Sequence, residues 1–105
     1  MSTIINCSDT LATELAQHLG IGAEFVKATP AERPSTADDK VSCLELAVTL
    51  SGGEKRCRLI GIRQAKNGFV VEDLEKPASF VIDNDLTPFL RYIVASLRIR
   101  PWHLP

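Results

Sequence analysis

The sequence predicts an α+β domain: an antiparallel β-meander of three to four strands, with an N-terminal helical segment and a C-terminal helix packed on the sheet. Three observations carry this expectation. Apolar residues recur at helical spacing over residues 11–19 and again over 86–97; the period changes to two between residues 41 and 82; and turn signals at Gly52-Gly53 and Asn67-Gly68 separate the alternating runs. A chain of 105 residues suits one domain with one core.

Ser2 to Cys7 is short and β-branched and ends at Ser8-Asp9, which predicts a brief strand or extended lead-in followed by a helix N-cap. The helical segment is expected over residues 9–29. Leu11, Ala12, Leu15, Ala16 and Leu19 form its first stripe and Gly20 its left-handed C-terminal residue, and a second short helix is expected from Gly22 to Ala28, with Pro30 as its stop. Residues 30–40 hold two prolines, paired aspartates and no apolar period, and are expected to form a mobile loop.

The meander is expected over residues 41–83. Leu44, Leu46, Val48 and Leu50 alternate with Cys43, Glu45, Ala47 and Thr49 as a strand with one buried face requires. A tight Gly52-Gly53 turn would set Val48 opposite Cys57 and Leu46 opposite Leu59, leaving Ile60 and Ile62 on the other face. A two-residue turn at Asn67-Gly68 would bring Phe69 and Val71 beside Ile60 and Ile62, making the sheet apolar on both sides. Residues 78–83 then form a last short strand after Pro77. Asp85 or Thr87 can cap the final helix, expected over residues 86–99, with Pro88 in its first turn and Leu86, Phe89, Leu90, Ile93, Val94 and Leu97 as its stripe. Residues 100–105 form a tail, in which Trp102 is expected to dock on the chain's own apolar surface or a symmetry partner, with Arg98 or Arg100 near its ring.

A formal net charge of −1 supplies no general attraction to nucleic acid or an anionic membrane. Three cysteines without CxxC spacing indicate neither a disulfide framework nor a zinc site, and reduced, mostly buried thiols are expected. No run of apolar residues approaches the length of about 20 needed to span a bilayer. The chain therefore reads as a cytoplasmic protein.

The stretch Leu11–Pro30, LATELAQHLGIGAEFVKATP, resembles the helix-turn-helix of the phage repressor and related regulator families at Ala16, Gly20, Ile21 and Val26. That resemblance implies a second helix entering the major groove. The segment departs from the pattern in its recognition residues, since Gly22, Ala23, Glu24, Lys27 and Thr29 supply one cation and one anion, and Pro30 cuts the helix short. A winged variant would add Lys55, Arg56 and Arg58 at the Gly52-Gly53 tip.

Catalytic and metal-binding readings find little support. A Cys7–His18 couple is possible on paper, and His103 lies in the tail; Cys43 and Cys57 sit in strands. Glu72, Asp73, Glu75, Asp83 and Asp85 do not follow calcium-loop spacing, and Ser51 to Lys55 lacks the phosphate-loop pattern. No catalytic residue, metal site or cofactor is expected. Arg91, Arg98, Arg100 and Trp102 form the local basic and aromatic concentration, a composition suited to a partner contact. The leading reading is a non-enzymatic protein-interaction module that self-associates, as a homodimer, across Ile60, Ile62, Phe69 and Val71. The alternative is a small DNA-binding regulator contacting DNA through Lys27, Thr29, Lys55, Arg56 and Arg58.

Overall fold

The computed structural model describes the backbone of residues 3–32, 41–66, 68–83 and 85–105, and side chains from residue 9 onward. Residues 33–40 of the expected loop, the Cys7 side chain and Asn67 lie outside the described residues.

Helix α1 runs Thr3–Leu19, so the expected N-terminal strand is helical and Ser8-Asp9 lies inside the helix. Extending a helix adds one hydrogen bond per residue, and that outweighs the weak β preference of isoleucine. Gly20, at φ 73°, ends the helix. Its N–H donates to the Gln17 carbonyl (3.1 Å) and the Ile21 N–H to the Ala16 carbonyl (3.0 Å), the paired bonds that close a helix over a left-handed residue.

The second helix expected over residues 22–28 does not form. One 3₁₀ turn, Ala23–Phe25, leads directly into strand β1, Val26–Pro30. A helix of two turns is below the length at which propagation repays nucleation. As a strand, by contrast, the segment places Val26 and Ala28 over Val48 and Leu46 of the neighbouring strand.

Strands β2 (Ser42–Thr49), β3 (Lys55–Ala65), β4 (Gly68–Asp73) and β5 (Ala78–Ile82) follow. All neighbours are antiparallel and the order is β1-β2-β3-β4-β5, a meander with one strand more than the upper expectation.

The first hairpin differs from expectation by one residue. Its loop contains Ser51, Gly52 and Gly53, with both glycines at φ 87°, and is closed by the Leu50 N–H donating to the Glu54 carbonyl (2.6 Å). Val48 therefore opposes Arg56, Leu46 opposes Arg58 and Leu44 opposes Ile60. A one-residue slip moves a whole strand's side chains to the other face. Here it gathers Leu44, Leu46, Val48, Ile60 and Ile62 on one face, where a two-residue turn would divide them.

Phe69 and Val71 do share a face with Ile60 and Ile62, but it is the face of Leu46 and Val48. Both helices cover this side, while the opposite side holds a smaller apolar group in which Val41 and Val70 are buried and Val41 and Leu74 pack over Gly61. Leu11, Leu15 and Ala16 of α1 meet Phe89, Leu90 and Ile93 of α2 (Thr87–Ser96) over the strands in one core. Ile60, Ile62 and Val71 are fully buried there, and Phe69 is half-buried against it. The contact face expected from these four residues is thus the domain's own interior.

Helix α2 opens with Pro88 in its first turn, as expected; its N-cap is Leu86, which makes no side-chain capping bond, instead of Asp85 or Thr87, and Asp85 just before it accepts the Thr87 N–H (3.0 Å). It ends at Arg98, which adopts φ 55°. The Arg98 N–H donates to Ala95 (3.1 Å) and the Ile99 N–H to Val94 (3.1 Å), reproducing the closure at Gly20 with an arginine in the glycine position.

Candidate functional site

The register that gathers the core also turns Arg56 and Arg58 inward, and the end of α2 receives them. Arg56 Nη1 donates to the carbonyls of Leu97 (2.8 Å) and Arg98 (2.6 Å), and Arg58 Nη2 reaches the Ser96 carbonyl (3.4 Å). These are last-turn carbonyls at the negative end of the helix dipole, where a cation is favourable. Arg56 also pairs with Glu54 (3.0 Å).

Arg58 continues into a buried polar cluster. Its Nη1 lies 3.4 Å from Asp73 Oδ2, the oxygen that also accepts the Tyr92 hydroxyl proton at 2.5 Å. Asp73 Oδ1 accepts the Glu75 N–H (2.8 Å) and the Lys76 N–H (3.1 Å). The carboxylate is thus bonded on both oxygens, and only 4% of the residue is exposed. Burial, followed by the hydrogen bond to Asp73, pushes the Tyr92 phenol above its ordinary value, so it remains a donor. Arg58 Nε has no partner among the described residues. The cluster ties β3, β4 and α2 together.

The remaining acidic residues are also engaged. Glu72 pairs with Arg63 (3.2 Å) and Glu75 Oε2 accepts the Leu59 N–H (2.8 Å). The bond from the Thr87 backbone holds the Asp85 carboxyl below its usual range. His18 is exposed on α1, and no group of three potential metal ligands occurs among the described residues. Cys57 is exposed, contrary to the expectation of mostly buried thiols, and Cys43 is half-buried. Partial desolvation and the Glu45 carboxylate push the Cys57 thiol up, away from the reactive thiolate.

The residues considered for DNA do not share a surface. Lys27 and Thr29 lie on the face of β1 away from the helices, and Lys55 lies on that same face of β3, whereas Arg56 and Arg58 point to the helices. The helix that would have carried Lys27 and Thr29 is a strand.

The basic and aromatic group is accessible. Arg91, Arg98, Arg100 and Trp102 are all exposed, Arg91 on α2 and the others beyond its end. The tail is fastened: Pro101–His103 form a 3₁₀ turn, the Arg100 N–H donates to His103 Nδ1 (3.0 Å), the His103 N–H donates back to the Arg100 carbonyl (2.9 Å), and Leu104 packs on the core. Trp102 itself points outward, 74% exposed. This corrects the expectation that it docks on the chain's own apolar surface. Its ring partner is His103, at 5.7 Å between centroids, and no arginine stacks on it among the described residues. Exposure in this turn is what the sequence did not reveal: His103 and Leu104 do the docking, and the rigid turn they make aims the indole at solvent.

No helix is long and apolar enough to cross a membrane among the described residues. No protein-family model, curated protein or solved structure matches this chain.

Proposed function

We propose that the chain is a non-enzymatic, cytoplasmic protein-interaction module whose contact surface is the C-terminal turn. One observation carries this reading: the single tryptophan is 74% exposed on a turn fixed by hydrogen bonds and a half-buried leucine. Exposing an indole forfeits its burial free energy, and an exposed Trp on a hydrogen-bonded turn, with exposed arginines nearby in sequence, is the composition of an energetic anchor. The exposed Arg91, Arg98 and Arg100 favour a partner that offers carboxylates around an apolar recess.

The test compares crosslinked partners of the native chain with those of Trp102→Ala and of Arg98→Ala/Arg100→Ala in the same cells. Trp102→Ala should leave stability within about 0.5 kcal/mol, as for exposed positions in general, while removing a defined protein from the captured set. An unchanged set would refute the reading. Salt-sensitive capture of DNA by the native chain, lost in the arginine variant, would replace the protein partner with nucleic acid.

A further inference from the structure

We propose that β5 is an open pairing edge and that its occupant is β5 of a second copy, giving a closed twofold dimer with one sheet continuous across both chains. The proposal deepens the interaction-module reading by naming a partner, and it uses a surface separate from Trp102.

The hydrogen-bond phase of the sheet shows which backbone groups are free. The Leu74 N–H donates to the Leu59 carbonyl (3.0 Å), one register step beyond Ile60 opposite Asp73. Bonded and non-bonded pairs alternate along an antiparallel ladder, and a residue that bonds to one neighbouring strand has neighbours that face the other way. Leu74, Glu72 and Val70 therefore bond to β3, and Asp73, Val71 and Phe69 bond to β5. Of their opposite residues, Phe80 and Ile82 bond back to β4, while the Ala78 N–H donates to the Lys76 carbonyl (2.8 Å) in the turn. Ser79 and Val81 are left directing both N–H and C=O away from the sheet, and among the described residues β5 pairs with β4 alone.

The other edge is different. The Ala31 N–H bonds to the Cys43 carbonyl (3.0 Å), so Val26, Ala28 and Pro30 of β1 face outward. Pro30 has no N–H and that of Val26 is taken by the Ala23 carbonyl, leaving Ala28 as the free donor of that strand. Proline and an exposed lysine, Lys27, are the usual guards of an edge. β5, with sequence ASFVI, has neither, and its Val81 is 77% exposed.

β5 complements itself. With a twofold axis at Phe80, Ser79 opposes Val81 of the second copy and Val81 opposes Ser79, and each pair exchanges both bonds. The strand is uncharged, so no like charges face each other. Phe80, half-buried on the helix side, meets the Phe80 of the second copy in the closer, non-bonded type of pair. The guarded β1 edge then stops growth at two, where two open edges would propagate a filament.

The test is amide exchange by NMR together with sedimentation, over micromolar to millimolar protein. The Phe80 and Ile82 amides should be protected at every concentration. Those of Ser79 and Val81 should exchange fast when dilute and slow at least about tenfold as a dimer forms. Val81→Pro removes an outward donor while sparing the ladder to β4, and should weaken the dimer at least about tenfold with the monomer still folded; Val81→Lys, a guard without a backbone change, should do the same. Trp102→Ala should leave the dimer intact. A chain that stays monomeric at millimolar concentration overturns the proposal, as does a dimer in which Ser79 and Val81 still exchange fast. So does a dimer lost on Trp102→Ala and kept in both Val81 variants, which would place the contact at the C-terminal turn.

Discussion

Asp73→Asn isolates the worth of the buried charge. Asparagine keeps Oδ1 and with it the bonds from the Glu75 and Lys76 amides, so the local turn survives. What changes is Oδ2, which becomes an NH₂ facing two donors, Tyr92 Oη and Arg58 Nη1. Tyr92 can rotate to accept; the guanidinium cannot. At 3.4 Å and an effective dielectric constant of about 20, the lost attraction is roughly 5 kcal/mol before desolvation is considered. Removing one partner of a buried pair and stranding the other costs about 3–5 kcal/mol. For a domain whose total stability is roughly 5–15 kcal/mol this is severe, and at about 4–8 °C per kcal/mol the unfolding midpoint should fall by at least ~12 °C. Urea titration followed by circular dichroism gives the free energy. Adding Arg58→Met should recover part of the loss, since no cation is then stranded, with a coupling of about 1 kcal/mol or more. A loss under about 1 kcal/mol for Asp73→Asn alone would mean that the Arg58–Asp73 pair is effectively solvated, and the account of the cluster would fail.

Arg98→Gly should raise stability by about 0.5–1 kcal/mol, because relief of the left-handed strain, about 1–2 kcal/mol, exceeds the added entropy of the unfolded glycine; a thermal midpoint that falls would refute the assignment. The Asp85 carboxyl is depressed in the folded chain, first by the Thr87 backbone bond, so its contribution is fully present above the unfolded aspartate value and is lost as pH falls through the lower folded value. Its NMR titration midpoint should lie below that of a free aspartate, and Asp85→Ala should flatten the acid limb of the stability curve. Gly61→Val should destabilise by about 1–3 kcal/mol in urea titration, since even a Cβ at this position would lie 2.7 Å from Val41 Cγ1 and 3.0 Å from Leu74 Cδ2.

Much of the fold was legible in the sequence because it rests on local periodicity. The α1 stripe from Leu11 to Leu19, Gly20 as its closing residue, the alternation through Leu44, Leu46 and Val48, and the proline-led start of α2 are dictated by neighbours within a turn or two, and the structure has each of them. The α+β class follows from their order. The candidate contact residues Arg91, Arg98, Arg100 and Trp102 were also legible as a composition, since charge and an indole at a helix end are visible without coordinates.

What the tertiary structure decided are the choices between states of nearly equal local preference. Residues 26–30 could propagate a helix or pair as a strand, and Val48 and Leu46 across the sheet selected the strand. The Gly52-Gly53 loop could hold two residues or three. The three-residue loop puts Leu44, Leu46 and Val48 of β2 and Ile60 and Ile62 of β3 together under the helices, and the two arginines it turns inward are accommodated because the carbonyl end of α2 and Asp73 lie there to receive them. No local window contains both an arginine near residue 57 and a helix end near residue 97. Whether Ile60 and Ile62 form an exterior face or an interior one, and whether Trp102 is buried or offered to a partner, therefore depends on contacts between distant segments, which form only when the chain folds as a whole.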